Sequence, residues 1–450
     1  VTAIDMATLS GYVDGTSGER CAFTDGTRNV TYSDLSALLD MHSDSLDKLN
    51  GANVALIGSC HLDMALLFVL LDGRAGRLIL LPNCLENEQK ELFYTLSGVT
   101  AEVSLNQHSI LNIQRIGNSE LSPTKETEWV VLTSGTTATP KLVVHTLATM
   151  THSTKRSTKD TNFKWGMAYD LNKFAGIQVF LQAITSGSCL VFIDRCDSFA
   201  DAVELLVDKS CNALSGTPTF WRKLLMAGTA ANIPLQRLTL GGEIVDQNIL
   251  GSLATMYPNA TIRHIYASTE CGVAITVSDG QAGFPEHYLS NTPDSVQLKV
   301  SDDDILFIKP AQGKQHYLSD IQLYEDDGFI DSGDVVTIEA GRVLFLGRDN
   351  GSINVGGNKV FPEDVELALG QHHSVGSCLV SGKKNNFTGS IVVASVVLIE
   401  PYASDTNQHV DLKRSIKEHC KSKLASFKVP AIISIVDSLD VNDSGKLNRL

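Results

Sequence analysis

The segment Thr133-Ser-Gly-Thr-Thr-Ala-Thr-Pro-Lys141 is a dense set of groups suited to phosphate. Its hydroxyls and backbone amides can wrap phosphate oxygens, and Lys141 can neutralise them. The pattern Gly-x-x-x-x-Gly-Lys-Ser/Thr is absent, so this is not a Walker loop. A solvated Ser/Thr-rich turn has the same composition, so the segment alone does not decide. Four further clusters follow: Gly241-Gly-Glu243, Ile265-Tyr-Ala-Ser-Thr-Glu270, Asp331-Ser-Gly-Asp334 with Gly347-Arg348, and Ser444-Gly-Lys-Leu-Asn-Arg449. Taken singly, Thr269-Glu270 is also a helix start, Asp331 to Asp334 a hairpin turn, Arg348 a surface arginine, and the last cluster a basic tail.

In this order and at these spacings the clusters resemble the acyl-adenylate-forming superfamily. Its members are the AMP-forming acyl- and aryl-CoA synthetases, the adenylation domains of peptide synthetases, and the firefly luciferases. The resemblance runs from about Tyr32 to Leu450. It implies that Thr133, Ser134, Gly135, Thr136, Thr137 and Lys141 hold the phosphates of ATP. Tyr266 would stack on adenine, with Gly241, Gly242 and Glu243 lining its other side. Thr269 would contact phosphate, and Glu270 would hold Mg2+ through carboxylate oxygen, as a hard cation prefers. Asp334 would accept the ribose hydroxyls, and Arg348 would reach ribose or phosphate. Lys446 would bridge the substrate carboxylate and the α-phosphate, offsetting charge that develops as the carboxylate attacks. Three positions depart from the family pattern: Ala138 and Ala267 replace glycine, and Asn350 replaces the Asp or Lys of the pivot.

The implied reaction brings two anions together, so it needs positioning and charge neutralisation more than a dedicated base. Acyl-AMP forms, pyrophosphate leaves, and the acyl group passes to a thiol, coenzyme A or a phosphopantetheine arm. The small domain would turn about Asn350, withdrawing Lys446 and bringing Gly356 and Gly357 to a thiol tunnel. The acid pocket would involve Tyr169 to Gly176, Gly241-Gly242 and Ala267 to Val273, including Gly272. Lys173-Phe-Ala-Gly176 aligns with a His-x-x-Gly gate, so Lys173 faces either a polar acyl group or solvent. Asp170 invites comparison with the aspartate that holds an amino group in peptide synthetases. Other readings remain: loading of an acyl carrier protein, with Lys383-Lys384, Lys421 and Lys423 as a basic patch; oxidation of the adenylate; or non-catalytic nucleotide binding.

Composition narrows the partners. The net charge of -15 disfavours nucleic acid and anionic membrane surfaces. Nine cysteines are scattered without a Cys-x-x-Cys pair, which fits a reducing, cytoplasmic setting better than a disulfide scaffold. No cysteine–histidine spacing suits a transition metal. No leader is visible, and Asp72, Arg74 and Arg77 interrupt the most apolar stretch, Met64 to Pro82, so no membrane span is expected. That stretch reads as a buried helix followed by a buried strand.

The elements that must carry these residues read as α/β. Strands are expected at Val54–Gly58, Trp129–Leu132 and Cys189–Ile193. Helices are expected at Leu35–Leu49, Ala200–Leu206 and Pro218–Met226. From about Val300 short antiparallel strands take over, at Ile305–Ile308, Val335–Ile338 and Val343–Leu346. A turn-rich patch, Gly347 to Ser352, suggests a hinge. Beyond it lie a helix near Pro362–Leu369, strands near Ser377–Val380 and Ile391–Ile399, a helix from Asp411 to Leu424 and a strand near Ile432–Val436. The expectation is a large N-terminal domain (1–347) of stacked α/β subdomains with a small β-barrel-like part. A hinge (348–350) joins it to a small mobile α+β domain (351–450).

Overall fold

Helix His61–Leu71 buries nearly every side chain, as its unbroken apolar run from Met64 requires. It stops at Asp72, whose carboxylate accepts from the Leu9 amide at 2.8 Å and from Trp129 Nε1 at 2.9 Å. The computed structural model describes residues 7–82, 85–106, 109–116, 126–133, 141–154, 163–292, 296–313, 315–319, 321–385, 388–404 and 408–439.

Strands are numbered in chain order. One sheet follows the path β14-β13-β12-β11-β9-β10-β1-β2. Its strands are β1 (Cys21–Thr24), β2 (Asn29–Thr31), β9 (Lys164–Met167), β10 (Cys189–Phe192), β11 (Ala213–Gly216), β12 (Arg237–Gly241), β13 (Thr261–Ser268) and β14 (Gly272–Val277). The inner strands are parallel and β2 and β14 close the ends antiparallel. A second sheet runs β18-β8-β7-β4-β3-β5-β6. It comprises β3 (Asn53–Ile57), β4 (Arg77–Leu80), β5 (Ala101–Leu105), β6 (Leu111–Arg115), β7 (Glu128–Leu132), β8 (Leu142–Thr146) and β18 (His316–Tyr317). One hydrophobic cluster joins the two: Val54, Leu78 and Trp129 of the second sheet and Phe23, Trp165 and Leu190 of the first pack around Phe68 and Phe180. Buried parallel strands covered by helices are the expected outcome of such apolar runs.

A third, antiparallel sheet contains β15 (Phe284–Pro285), β16 (Gln297–Val300), β17 (Ile305–Lys309), β19 (Ile330–Glu339) and β20 (Arg342–Arg348). Its core takes in Ala274 and Ile275 of β14, so it is fastened to the first sheet. The last part pairs β21 (Ile353–Val355), β22 (Asn358–Val360), β23 (Val375–Asn385), β24 (Gly389–Leu398) and β25 (Ile432–Ile435). Helices Pro362–Gly370 and His409–Lys423 cover it through Val365, Leu369 and Ile416.

Helix Pro218–Met226 matches expectation to the residue, because Thr217 caps the Phe220 amide and Pro218 opens the first turn. The single helix expected over Leu35–Leu49 is instead two, Tyr32–Met41 and Ser43–Asp47. They part at His42, whose buried ring bonds the Ser109 carbonyl oxygen at 2.9 Å. Among the described residues no helix is long and apolar enough to cross a membrane.

Candidate active site

The segment from Thr133 to Lys141 leaves the second sheet at the end of β7 and re-enters it at β8. Its two ends are tied: the Thr133 amide donates to the Lys141 carbonyl at 2.9 Å, and the Lys141 amide to Thr133 Oγ1 at 3.4 Å. Ser134, Gly135, Thr136 and Thr137, with Ala138, lie outside the described residues, as does Lys446.

The Lys141 ammonium stands 4.7 Å from the ring centre of Tyr317. Tyr317 is there because β18, only two residues long, returns from the third region to pair with Val143 on the edge of the second sheet. Burial, with the Glu270 carboxylate next, pushes the Tyr317 phenol well above its ordinary value. Lys141, Tyr317 and Glu270 thus form one polar patch.

Thr269 and Glu270 are not a helix start. They form the tip of a β-hairpin between β13 and β14, closed by the Cys271 amide donating to Ser268 Oγ at 3.0 Å. Gly272 sits there at φ +73, a conformation that favours glycine. His145 of β8, buried, donates from Nε2 to the Thr269 carbonyl at 2.7 Å. Burial holds its imidazolium pKa down at about 4 despite that bond, so the ring is neutral at pH 7. Its ring also packs 5.4 Å from Phe174, at the start of helix Phe174–Thr185. His145 is a residue that motif reading missed.

Asp334 and Arg348 are register partners across β19 and β20. Their side chains pair at 3.0 Å, Nε to Oδ1. The other Asp334 oxygen accepts from the Tyr266 hydroxyl. Burial and the adjacent Asp334 carboxylate raise the Tyr266 phenol far above its usual value, so it stays a donor. Tyr266 stacks one face on Phe345, with ring centres 4.6 Å apart and planes 15° from parallel. Desolvation lowers the Arg348 guanidinium pKa, but Asp334, Tyr266 and Glu270 outweigh it and leave the net shift upward. The Asp331–Asp334 cluster is therefore part of a long strand, not a turn.

Gly241 ends β12 and accepts the Tyr169 hydroxyl at 3.1 Å, and Gly242 follows at φ +84. Glu243 accepts from the Thr219 amide at 2.9 Å and its hydroxyl at 3.0 Å, so it is held at the start of helix Pro218–Met226. Ala267 faces Val273 across the hairpin, next to a bulge at Tyr266. Gly176 is packed so that a Cβ would lie 2.2 Å from the Asp170 carbonyl. Lys173, half-buried, immediately precedes helix Phe174–Thr185 and donates its amide to the Asp170 carbonyl at 3.1 Å. Burial raises the Asp170 carboxyl, but His61 at 3.7 Å, the Asn172 amide and Lys173 together take it below its usual range. His61 and its second neighbour, Asp194 at 3.6 Å, also escaped sequence reading.

Asn350 lies in a single turn, Asp349–Gly351, right after β20. Gly356 and Gly357, at φ +59 and +90, make the two-residue tip between β21 and β22, with open space where side chains would project. The structure therefore brings Lys141, Tyr266, Glu270, Asp334 and Arg348 into one neighbourhood. It leaves Gly356 and Gly357 on a separate exposed tip.

Among the described residues no three potential metal-ligating side chains cluster. A dedicated metal cage is therefore not formed by them. A magnesium ion sharing one carboxylate with substrate phosphates fits the lone Glu270.

Residues 74–314, more than half of the chain, match the family described as AMP-binding enzyme. Residues 364–446 match the AMP-binding enzyme C-terminal domain. The 2-succinylbenzoate–CoA ligase of Listeria innocua serovar 6a is 24% identical over 343 residues, covering 71% of this chain and 68% of its own. The anthranilate CoA ligase AuaEII, solved with anthranoyl-AMP, superposes with a TM-score of 0.79 at 16% identity, over 98% of this chain and 95% of its own. The O-succinylbenzoate coenzyme A synthetase of Bacillus subtilis, solved with ATP and magnesium, gives 0.70 at 20% identity, over 98% of each chain. These structures share the fold.

Proposed function

The chain belongs to the AMP-binding enzyme family, and on that premise we propose that it is an AMP-forming carboxylate–thiol ligase. ATP and a carboxylic acid give acyl-AMP and pyrophosphate, and the acyl group then passes to the thiol of coenzyme A. The observation that carries this reading is the Asp334 carboxylate held between Tyr266 and Arg348, with Glu270 and Lys141 beside it. Such a set offers a ribose acceptor, an aromatic face and two cations for phosphate.

The residue roles follow chemistry. The Tyr266 face turned away from Phe345 takes adenine, with Gly241, Gly242 and Glu243 opposite. Asp334 accepts ribose hydroxyls, and Arg348 turns to ribose or phosphate. Thr133 to Thr137 and Lys141 hold the outer phosphates, and Thr269 bonds phosphate. Glu270 would hold magnesium through its carboxylate, and the ion would supply neutralisation of phosphate charge. Lys446 meets the carboxylate and the α-phosphate. Lys173, Gly176, Ala267 and Gly272 border the acid. Residues 1–347 form the nucleotide- and acid-binding part, 348–350 the hinge with Asn350 as pivot, and 351–450 the small mobile domain. Gly356 and Gly357 let the thiol arm pass close to the backbone. We place the enzyme in the cytoplasm, because its nine cysteines are scattered without the spacing of a disulfide scaffold.

The test is ATP–pyrophosphate exchange across fatty, aryl, hydroxy and amino acids, with Lys446→Ala beside it. Acid-dependent exchange that the variant loses by about 100-fold or more, as removal of a charge-stabilising donor does, is the expected result. Nucleotide binding without exchange for any acid would leave a non-catalytic nucleotide-binding protein. Thioester formation with coenzyme A and with an acyl carrier protein, compared at equal acyl-AMP, separates the two acceptors.

A further inference from the structure

Two cysteines far apart in sequence meet at the start of neighbouring strands. Cys21 opens β1, Cys189 opens β10, and the strands pair in parallel. Their sulfurs lie 3.2 Å apart. Phe23 pairs with Leu190, so Cys21 and Cys189 are one residue out of register, and β1 carries an irregularity between Cys21 and Phe23. The contact of the two sulfurs puts each thiol within reach of the other for bond formation.

The two thiols differ in access. Cys21 is partly exposed, and Cys189 is buried beneath it. The Cys189 thiol donates to Cys21. That bond, helped by Lys164 and Lys209 and opposed by burial, brings the Cys21 thiol down to about 7. Lys164 opens β9 as the register partner of Cys189, and its ammonium donates to the Lys209 carbonyl at 3.0 Å. The cluster lies at the starting ends of β9 and β10. Tyr169 follows the far end of β9, and Gly241 ends β12, so the thiols stand apart from the proposed nucleotide site.

We propose that Cys21 and Cys189 form a reversible dithiol–disulfide site that exchanges with a small soluble disulfide of the glutathione type. The Cys21 thiolate attacks one sulfur of that disulfide and expels one small thiol, leaving a mixed disulfide on Cys21. The Cys189 sulfur, losing its proton to solvent, attacks Cys21 Sγ and expels the second small thiol. Two electrons pass from the protein dithiol to the small disulfide, which leaves as two thiols. The bond ties β1 to β10 and closes a long loop, which stabilises the folded chain.

The experiment uses the full chain with oxidised glutathione at pH 7.5, acid quench, alkylation and peptide mapping without reductant. The expected product is a single Cys21–Cys189 cross-linked peptide, with a melting temperature raised by about 5 °C. Cys21→Ser gives no cross-link and no mixed disulfide at Cys189. Cys189→Ala, which lacks the resolving thiol, accumulates glutathione on Cys21. Oxidation that stops at a mixed disulfide in the unsubstituted protein, or a bond from Cys189 to the neighbouring Cys211, would overturn the proposal. The same map on Lys446→Ala keeps this outcome independent of the ligase activity.

Discussion

Asp334 faces Arg348 because the two are register partners on adjacent strands, and Tyr266 reaches the same carboxylate from another sheet. A carboxylate so held is oriented before any ligand arrives, which lowers the cost of binding a diol. Asp334→Asn keeps the shape but loses one charged acceptor. Hydrogen bonds to charged groups contribute about 1.5–3 kcal/mol, so KM for ATP should rise roughly 10- to 100-fold. Initial rates of pyrophosphate exchange against ATP concentration measure it. An unchanged KM would remove Asp334 from the nucleotide site. Tyr266→Phe keeps the stacked ring and gives up only a hydrogen bond, so its effect on the same KM should be the smaller of the two.

At the scale of elements, His145 links β8 to the hairpin tip that carries Thr269 and Glu270. It acts through that carbonyl bond, as a positioning residue. His145→Ala should lower kcat/KM for magnesium-ATP about 10-fold or more, with KM for the acid little changed. His145→Gln, still a donor, should recover part of the loss. A uniform fall in folded protein, with normal constants for what remains, would mark a merely structural role. Asp72 ties the start of helix Leu9–Asp14 to β7, and burial raises its carboxyl from 3.8 to about 6. Between those values the folded chain holds a proton that the unfolded chain has lost. The contribution of Asp72 to stability is therefore fully present below about pH 4 and is lost as pH rises to about 6, by roughly 3 kcal/mol in all. His145, held neutral by burial, acts in the opposite sense over the same range, so the Asp72 contribution is read as a difference: in urea melts from pH 4 to 7 the stability of the unsubstituted chain relative to Asp72→Asn should fall as pH rises. Sequence reading reached helix Pro218–Met226 because its cap and proline are local signals. It missed His145, which no motif marks, and Tyr317, whose strand of two residues is too short to show a period. It joined Tyr32–Met41 to Ser43–Asp47 because the contact that separates them, His42 with Ser109, is remote in sequence. The Asp334–Arg348 pairing was legible as two motifs, while the register that joins them was not.

At the scale of the molecule, the proposed hinge at 348–350 would let two different groups meet one acyl-phosphate centre in turn. The link between the parts is short: β20 runs to Arg348, and one turn, Asp349–Gly351, follows. Gly347 at φ +147 lies so close to helix Pro362–Gly370 that a Cβ would come 2.5 Å from Glu363 Oε2. The present arrangement is thus packed at the proposed pivot, and the proposed reorientation would change the dihedrals of this turn. Arg348, extended at φ -86 and ψ 137, has the backbone that a residue before proline prefers, and a first turn residue tolerates proline. Asp349→Pro fixes one dihedral of the pivot. It also removes the Asp349–Lys359 ion pair at 2.7 Å, an exposed contact of small worth. Asp349→Ala removes the same pair and leaves the dihedral free. In the proline variant one half-reaction should persist while the other falls about 10-fold or more, and in the alanine variant both should persist. Pyrophosphate exchange reports the first half-reaction, and thioester formation from supplied acyl-AMP reports the second. Equal losses in both would mean that the turn carries no reorientation, and that the two steps share one arrangement.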